Sequence, residues 1–102
     1  MNIKLRKFGT ALTSRQAGKE AFAAFQPSLS EVSEQEDVLI DFKEVITFSP
    51  SWGDEFLTPL ANFFGRRLKL MRSENPSVKT SLEIIEESNH MKFNMVDVDQ
   101  KL

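Results

Sequence analysis

Val38 to Phe42 reads VLIDF, the run that most restricts how this chain can fold. Short, apolar and β-branched, it suits a parallel strand at the centre of a sheet, covered on both faces. Such a strand needs helices to cover it, and helical stripes lie on either side. Ala17, Ala21, Ala24 and Phe25 recur at helical spacing before it. Phe56, Leu57, Leu60, Phe63 and Phe64 do so after it. At the start of the chain, NIKLRKF alternates Ile3 and Leu5 against Lys4 and Arg6, the period-2 signal of a strand. Leu68, Leu70 and Met71 suggest a further strand, and Val78, Leu82 and Ile85 a third helix with Glu83, Glu86 and Glu87 outside. MKFNMVDV reads as an edge strand with Met91, Phe93 and Met95 on one face; the slip at Val96 predicts a bulge or frayed end. The order is β-α-β-α-β-α-β. It predicts a single α/β domain over 1–102, with a mostly parallel sheet of about four strands, three main helices and right-handed crossovers.

Local signals set the expected boundaries. Gly9 breaks the first strand. Thr13 with Gln16 matches a capping box, and Leu12 with Ala17 a hydrophobic staple. Gly18 marks close packing on the sheet, and Pro27 ends the first helix near Phe25. Residues 27–37 form a polar, acidic connecting loop with one turn around Leu29 and Val32. Val45, Ile46 and Phe48 stay apolar up to the break at Pro50. Ser51 with Asp54 signals the start of the second helix, and Gly65 its end. Pro59, behind Thr58 as a new cap, predicts that this helix splits into two short kinked ones. Asn75 and Pro76 open the third helix, and 99–102 is expected to be a frayed tail.

Composition narrows the function. Thirteen Lys and Arg against fifteen Asp and Glu give a net charge of -2. That argues against a dedicated binder of nucleic acid or anionic membranes. With no Cys there is no disulfide, thiol nucleophile or thiolate metal site, which fits a reducing cytoplasm. No apolar run is long enough to span a membrane, and MNIKLRKF lacks the features of a signal peptide. A soluble cytoplasmic domain is expected.

Reactive groups are few. His90 is the only histidine and stands at a predicted helix end, where a solvated residue is the ordinary outcome. There is no GxSxG and no glycine-rich phosphate loop, so no catalytic residue, cofactor or metal is assigned. An enzyme or ligand-binding domain would need Arg15, Asp54, Glu55 and His90 to converge. Asp54 and Glu55 are sequence neighbours and diverge by about 100 degrees on a helix. The basic stretch Arg66, Arg67, Lys69 and Arg72, with Lys4, Arg6 and Lys7, offers a phosphate-binding patch and with it the alternative of a nucleic-acid-associated domain. The segment FSPSWGDEFL is the richest. Two serines, a proline, a glycine and the only tryptophan fall between a buried strand and a helix. That place is a strand's C-terminal end, where ligands and partners meet open α/β sheets. Trp52 there either fills the core or presents an anchor to a partner.

These residues resemble the STAS-like domains, the superfamily of bacterial anti-sigma-factor antagonists, and most closely the STAS-like family of unknown function. The strand ending in Asp41-Phe42, followed by Ser51-Trp52-Gly53-Asp54-Glu55, carries the likeness, strongest over 38–57. Gly9 with Ser14-Arg15 and Asn75 with Val78 onward extend it from Phe8 to Glu87. Ser49-Pro50-Ser51-Trp52 departs from the Asp-Ser-Ser/Thr-Gly loop usual in the antagonists, although Ser51 falls where the phosphoacceptor would align. The resemblance implies a non-enzymatic regulatory module for signalling. Its partner would be a histidine-kinase-like ATPase, bound through Ser49, Ser51, Trp52, Gly53, Asp54 and Glu55, with Ser51 as phosphoacceptor and Arg15 as partner to the loop.

Overall fold

The computed structural model describes residues 1–97; the expected tail, 99–102, lies outside them. Four strands form one sheet: β1 (Asn2–Lys4), β3 (Val38–Asp41), β5 (Leu68–Met71) and β6 (Asn94–Val96), in the order β1-β3-β5-β6. Every pairing among them is parallel. A second, two-stranded parallel pair joins β2 (Ala11–Leu12) to β4 (Thr47–Phe48). Three helices connect the main strands: α1 (Arg15–Phe25), α2 (Pro50–Phe64) and α3 (Pro76–Asn89). The α/β class, three helices and mostly parallel four-strand sheet agree with the sequence reading.

Strand order follows chain order, so each crossover steps the same way. Right-handed crossovers then put all three helices on one face of the sheet, and α2 packs between α1 and α3. Burial along the strands agrees. Ile3, Val38, Ile40, Leu68 and Leu70 face the helices and are at most 2% exposed. On the opposite face Leu39, Asp41, Lys69 and Met71 are half-buried. VLIDF is therefore central but covered on one face only, not on both.

Several boundaries move for local reasons. The first strand ends at Lys4, and Leu5–Phe8 coils into a 3-10 turn that buries Leu5. Ser14, not Thr13, caps α1: its hydroxyl accepts from the Ala17 N–H at 3.0 Å. Gln16 bonds Glu20 instead, and Ala17 is exposed, so no staple forms. The buried face of α1 is Gly18, Ala21 and Phe25: Ala21 and Phe25 lie where the predicted stripe put them, whereas Ala17 and Ala24 are exposed. Ser49, not Ser51, caps α2, accepting from the Trp52 N–H at 3.2 Å while donating to the Thr13 carbonyl at 2.7 Å. Pro50 takes the first helical position. The helix also runs unbroken through Pro59. Proline frees the carbonyl four residues back, at Glu55. Both residues lie on the half-buried side of α2, away from its core-facing stripe. The chain from Gln26 to Glu31 forms another 3-10 turn inside the expected connection. Asn75 and Gly65 cap as expected, the latter at φ 59°.

One seam is tight enough to test. A Cβ built at Gly18 would stand 2.6 Å from the Trp52 carbonyl oxygen, a backbone atom that cannot swing away. At Gly53 it would meet the ends of the Ile85 and Phe48 side chains, at 2.7 and 2.8 Å. Gly18→Ala should therefore lower the urea midpoint more than Gly53→Ala, since only the second clash can relax by rotamer changes. Ser49→Ala should lose about 1 kcal/mol with its cap, and Ser51→Ala almost nothing. Equal effects of the two serine variants in urea titrations would reject the cap assignment.

Candidate functional site

The first turn of α2 is built from the inside out. Trp52 is 1% exposed and stacks on Phe56, ring centroids 5.1 Å apart. Phe8 and Phe48 pack against it at 6.0 and 5.9 Å. Gly53 is buried as well. Neither residue can touch a partner, which corrects the expectation that Trp52 and Gly53 belong to a docking loop. A large indole inside an aromatic core removes more apolar surface from water than any neighbour could. The remaining candidates lie outward: Ser49, Ser51, Asp54 and Glu55 are all half-buried.

Arg15 opens α1 and reaches both acids. Its Nη1 donates to Glu55 Oε2 at 2.7 Å and to Asp54 Oδ2 at 3.3 Å. Those hydrogen bonds, Glu55 first and Asp54 second, raise the guanidinium above its already high ordinary value. The arginine stays 54% exposed, so solvent weakens these pairs. Asp54 has further donors. Its Oδ1 accepts from Thr58 Oγ1 at 2.7 Å and from Asn89 Nδ2 at 3.1 Å. One carboxylate thus ties Arg15 of α1, Thr58 of its own helix and Asn89 at the end of α3. Burial pushes the Asp54 carboxyl up, but the bonds from Thr58, Asn89 and Arg15 outweigh it and hold the group below its ordinary range.

Three of the four residues an enzyme would need therefore meet, without the histidine. His90 caps α3 in the left-handed region at φ 52° and is exposed. The bond from that corner to Asp54 comes from its neighbour Asn89. Thr58 and Asn89 escaped the sequence reading. Asp54 and Thr58 stand four apart on one helix and could have been paired by spacing, whereas Asn89 arrives only through tertiary packing. Among the described residues no three His, Cys, Asp or Glu side chains gather to hold a metal, and no helix is long and apolar enough to cross a membrane.

The basic stretch is largely occupied within the fold. Arg67 Nη1 donates to the Ser33 and Glu36 carbonyls at 2.8 and 3.0 Å, and its guanidinium lies 5.1 Å from the Phe64 ring centroid. Lys69 pairs with Asp37 at 2.7 Å and Arg72 with Asp97 at 2.8 Å. Arg66 is exposed.

Two outcomes follow. The stability that Asp54 adds is present above its unfolded value, about pH 4, and is lost as pH falls through its lower folded value. Glu36, lowered by the Met1 ammonium group and the Ser33 N–H, adds a second acid-sensitive contribution. Asp54→Asn should thus flatten, without abolishing, the acid limb of stability against pH; identical limbs would remove Asp54 from the tie. Trp52, with no tyrosine to compete, should emit at short wavelength and resist iodide quenching until the domain unfolds. Ready quenching in the native state would contradict its burial.

The chain matches no family model, no curated protein and no solved structure.

Proposed function

We propose that this chain is a non-enzymatic regulatory module that binds a protein partner through the surface around the first turn of α2. One observation carries the reading: the sheet winds in a single direction, β1-β3-β5-β6. Open α/β sheets bind small ligands in the crevice where strand order reverses, and a sheet without a reversal has no such crevice. Arg15, Ser51, Asp54 and Glu55 line none of the four grooves that lie around α3, β6 and the ends of β3 and β5. They form a polar, half-buried to exposed surface on the first turns of α1 and α2, suited to docking a protein.

The partner that fits the STAS-like resemblance is a histidine-kinase-like ATPase, and Ser51 is the position it would phosphorylate. Ser49 is already engaged as donor and acceptor. Ser51 lies in the first turn, where a phosphate is favoured by the helix dipole. Asp54 and Glu55 stand three and four residues on, so they share its helix face. A phosphate there would compete with both acids for Arg15. Added charge of about -1.5 to -2 would thereby rearrange the docking surface and release the partner.

Glu55 is the better probe of binding, because Asp54 also holds the helices together. A photo-crosslinking residue at Glu55 should capture a protein carrying such an ATPase domain, and with that protein purified, Glu55→Lys and Ser51→Asp should weaken binding. Labelled ATP should mark wild type but not Ser51→Ala. The proposal fails if both binding variants behave as wild type while Arg66→Glu abolishes the complex, since the basic stretch would then be the surface.

A further inference from the structure

The last strand, β6, pairs with β5 on one side and leaves its outer edge without a strand partner among the described residues. Along this end of the molecule two grooves of about 700 and 720 Å³ lie side by side, with Met91 and Lys92 as their common wall. Their charges are opposite. Glu83, Glu86 and Glu87 line the first, beside His90. Arg66 and Lys69 line the second. Some of this charge is used within the chain: Glu86 accepts from the Phe93 N–H at 2.8 Å, and Lys69 pairs with Asp37. Glu83, Glu87 and Arg66 are exposed and join no ion pair among the described residues. Lys92 is 89% exposed and stands 3.9 Å from Glu86, at the limit of pairing.

A surface with acids on one side of a wall and bases on the other is its own complement. A twofold axis through that wall exchanges the two grooves, so each meets its opposite in the second copy. Glu83 and Glu87 of one copy then lie over Arg66 of the other, and the contact is made twice. A uniformly acidic or basic partner would satisfy one groove and be repelled by its neighbour. Met91, half-buried on the wall, supplies an apolar centre. We propose that the chain forms an isologous homodimer through the α3–β6 edge, acidic groove to basic groove, with Met91 near the axis.

Charge inversion tests the symmetry itself. In sedimentation velocity from micromolar to millimolar protein at low salt, wild type should dimerise, and added salt should dissociate it. Glu87→Arg and Arg66→Glu should each raise the dissociation constant by roughly tenfold or more, because each variant faces like charge at both contacts. Mixed in equal amounts, the two should dimerise again: one contact is inverted, the other is native, and both are attractive. Circular dichroism checks that each variant is folded. Wild type that stays monomeric throughout, single variants that dimerise like wild type, or a mixture that fails to recover would each overturn the proposal. Glu55→Lys should leave dimerisation unchanged, so failure here is separable from failure at the α2 surface.

Discussion

The close approach of α1 to α2 at Gly18 and Trp52 sets the geometry on which the rest depends. Backbone meets backbone there, with no room for a side chain from α1. Because α1 lies so near, Phe22 and Phe25 reach Phe56 at 6.3 and 6.1 Å, and Trp52 is sealed from solvent. The same seam fixes the register of the surface. Arg15 stands one turn before Gly18, and the hypothetical Cβ of Gly18 would lie 3.2 Å from that of Glu55. The arginine is thereby delivered to the two acids. Core and candidate site are two sides of a single contact.

Much of the fold was legible because burial imposes period. VLIDF, the α2 stripe and the Leu68–Met71 strand each carry enough large apolar residues to settle both class and position. Where residues are small or polar the signal is weaker. Alanines weigh little in a helical stripe, so Ala17 and Ala24 were drawn into that of α1 although both are exposed, and the decisive Gly18 stood out only as a mark of close packing on the sheet, whereas it meets α2. Neighbouring hydroxyls also compete for the same cap. Thr13 with Gln16 and Ser51 with Asp54 fit the spacing rule, yet Ser14 and Ser49 hold the geometry because β2 and β4 end just before them. Those two-residue strands are too short to leave a periodic trace. Pro59 misled for a related reason: its penalty is local, whereas α2 is held on both flanks.

The candidate site divides along the same line. Topology brought the starts of α1 and α2 together, which put Arg15 within reach of Asp54 and Glu55. It could not announce Asn89, whose amide arrives from the far end of α3. Trp52 had two readings in sequence, anchor or core, and its three aromatic neighbours, Phe8, Phe48 and Phe56, decide for core. The acids of α3 read as a solvated outer face; their meaning changes once Arg66 is seen across a shared wall.

Consecutive strand order gives the molecule the logic of a short array. Each strand–helix step rests mainly on the step before it, and no long connection returns to close the sheet. In such arrangements stability accumulates from nearest-neighbour interfaces. The first three main strands share one aromatic and aliphatic core, whereas β6 adds a single flank. β6 is held in the sheet through β5 alone, so losing that strand would leave the pairing of β1, β3 and β5 in place and bare the outer edge of β5.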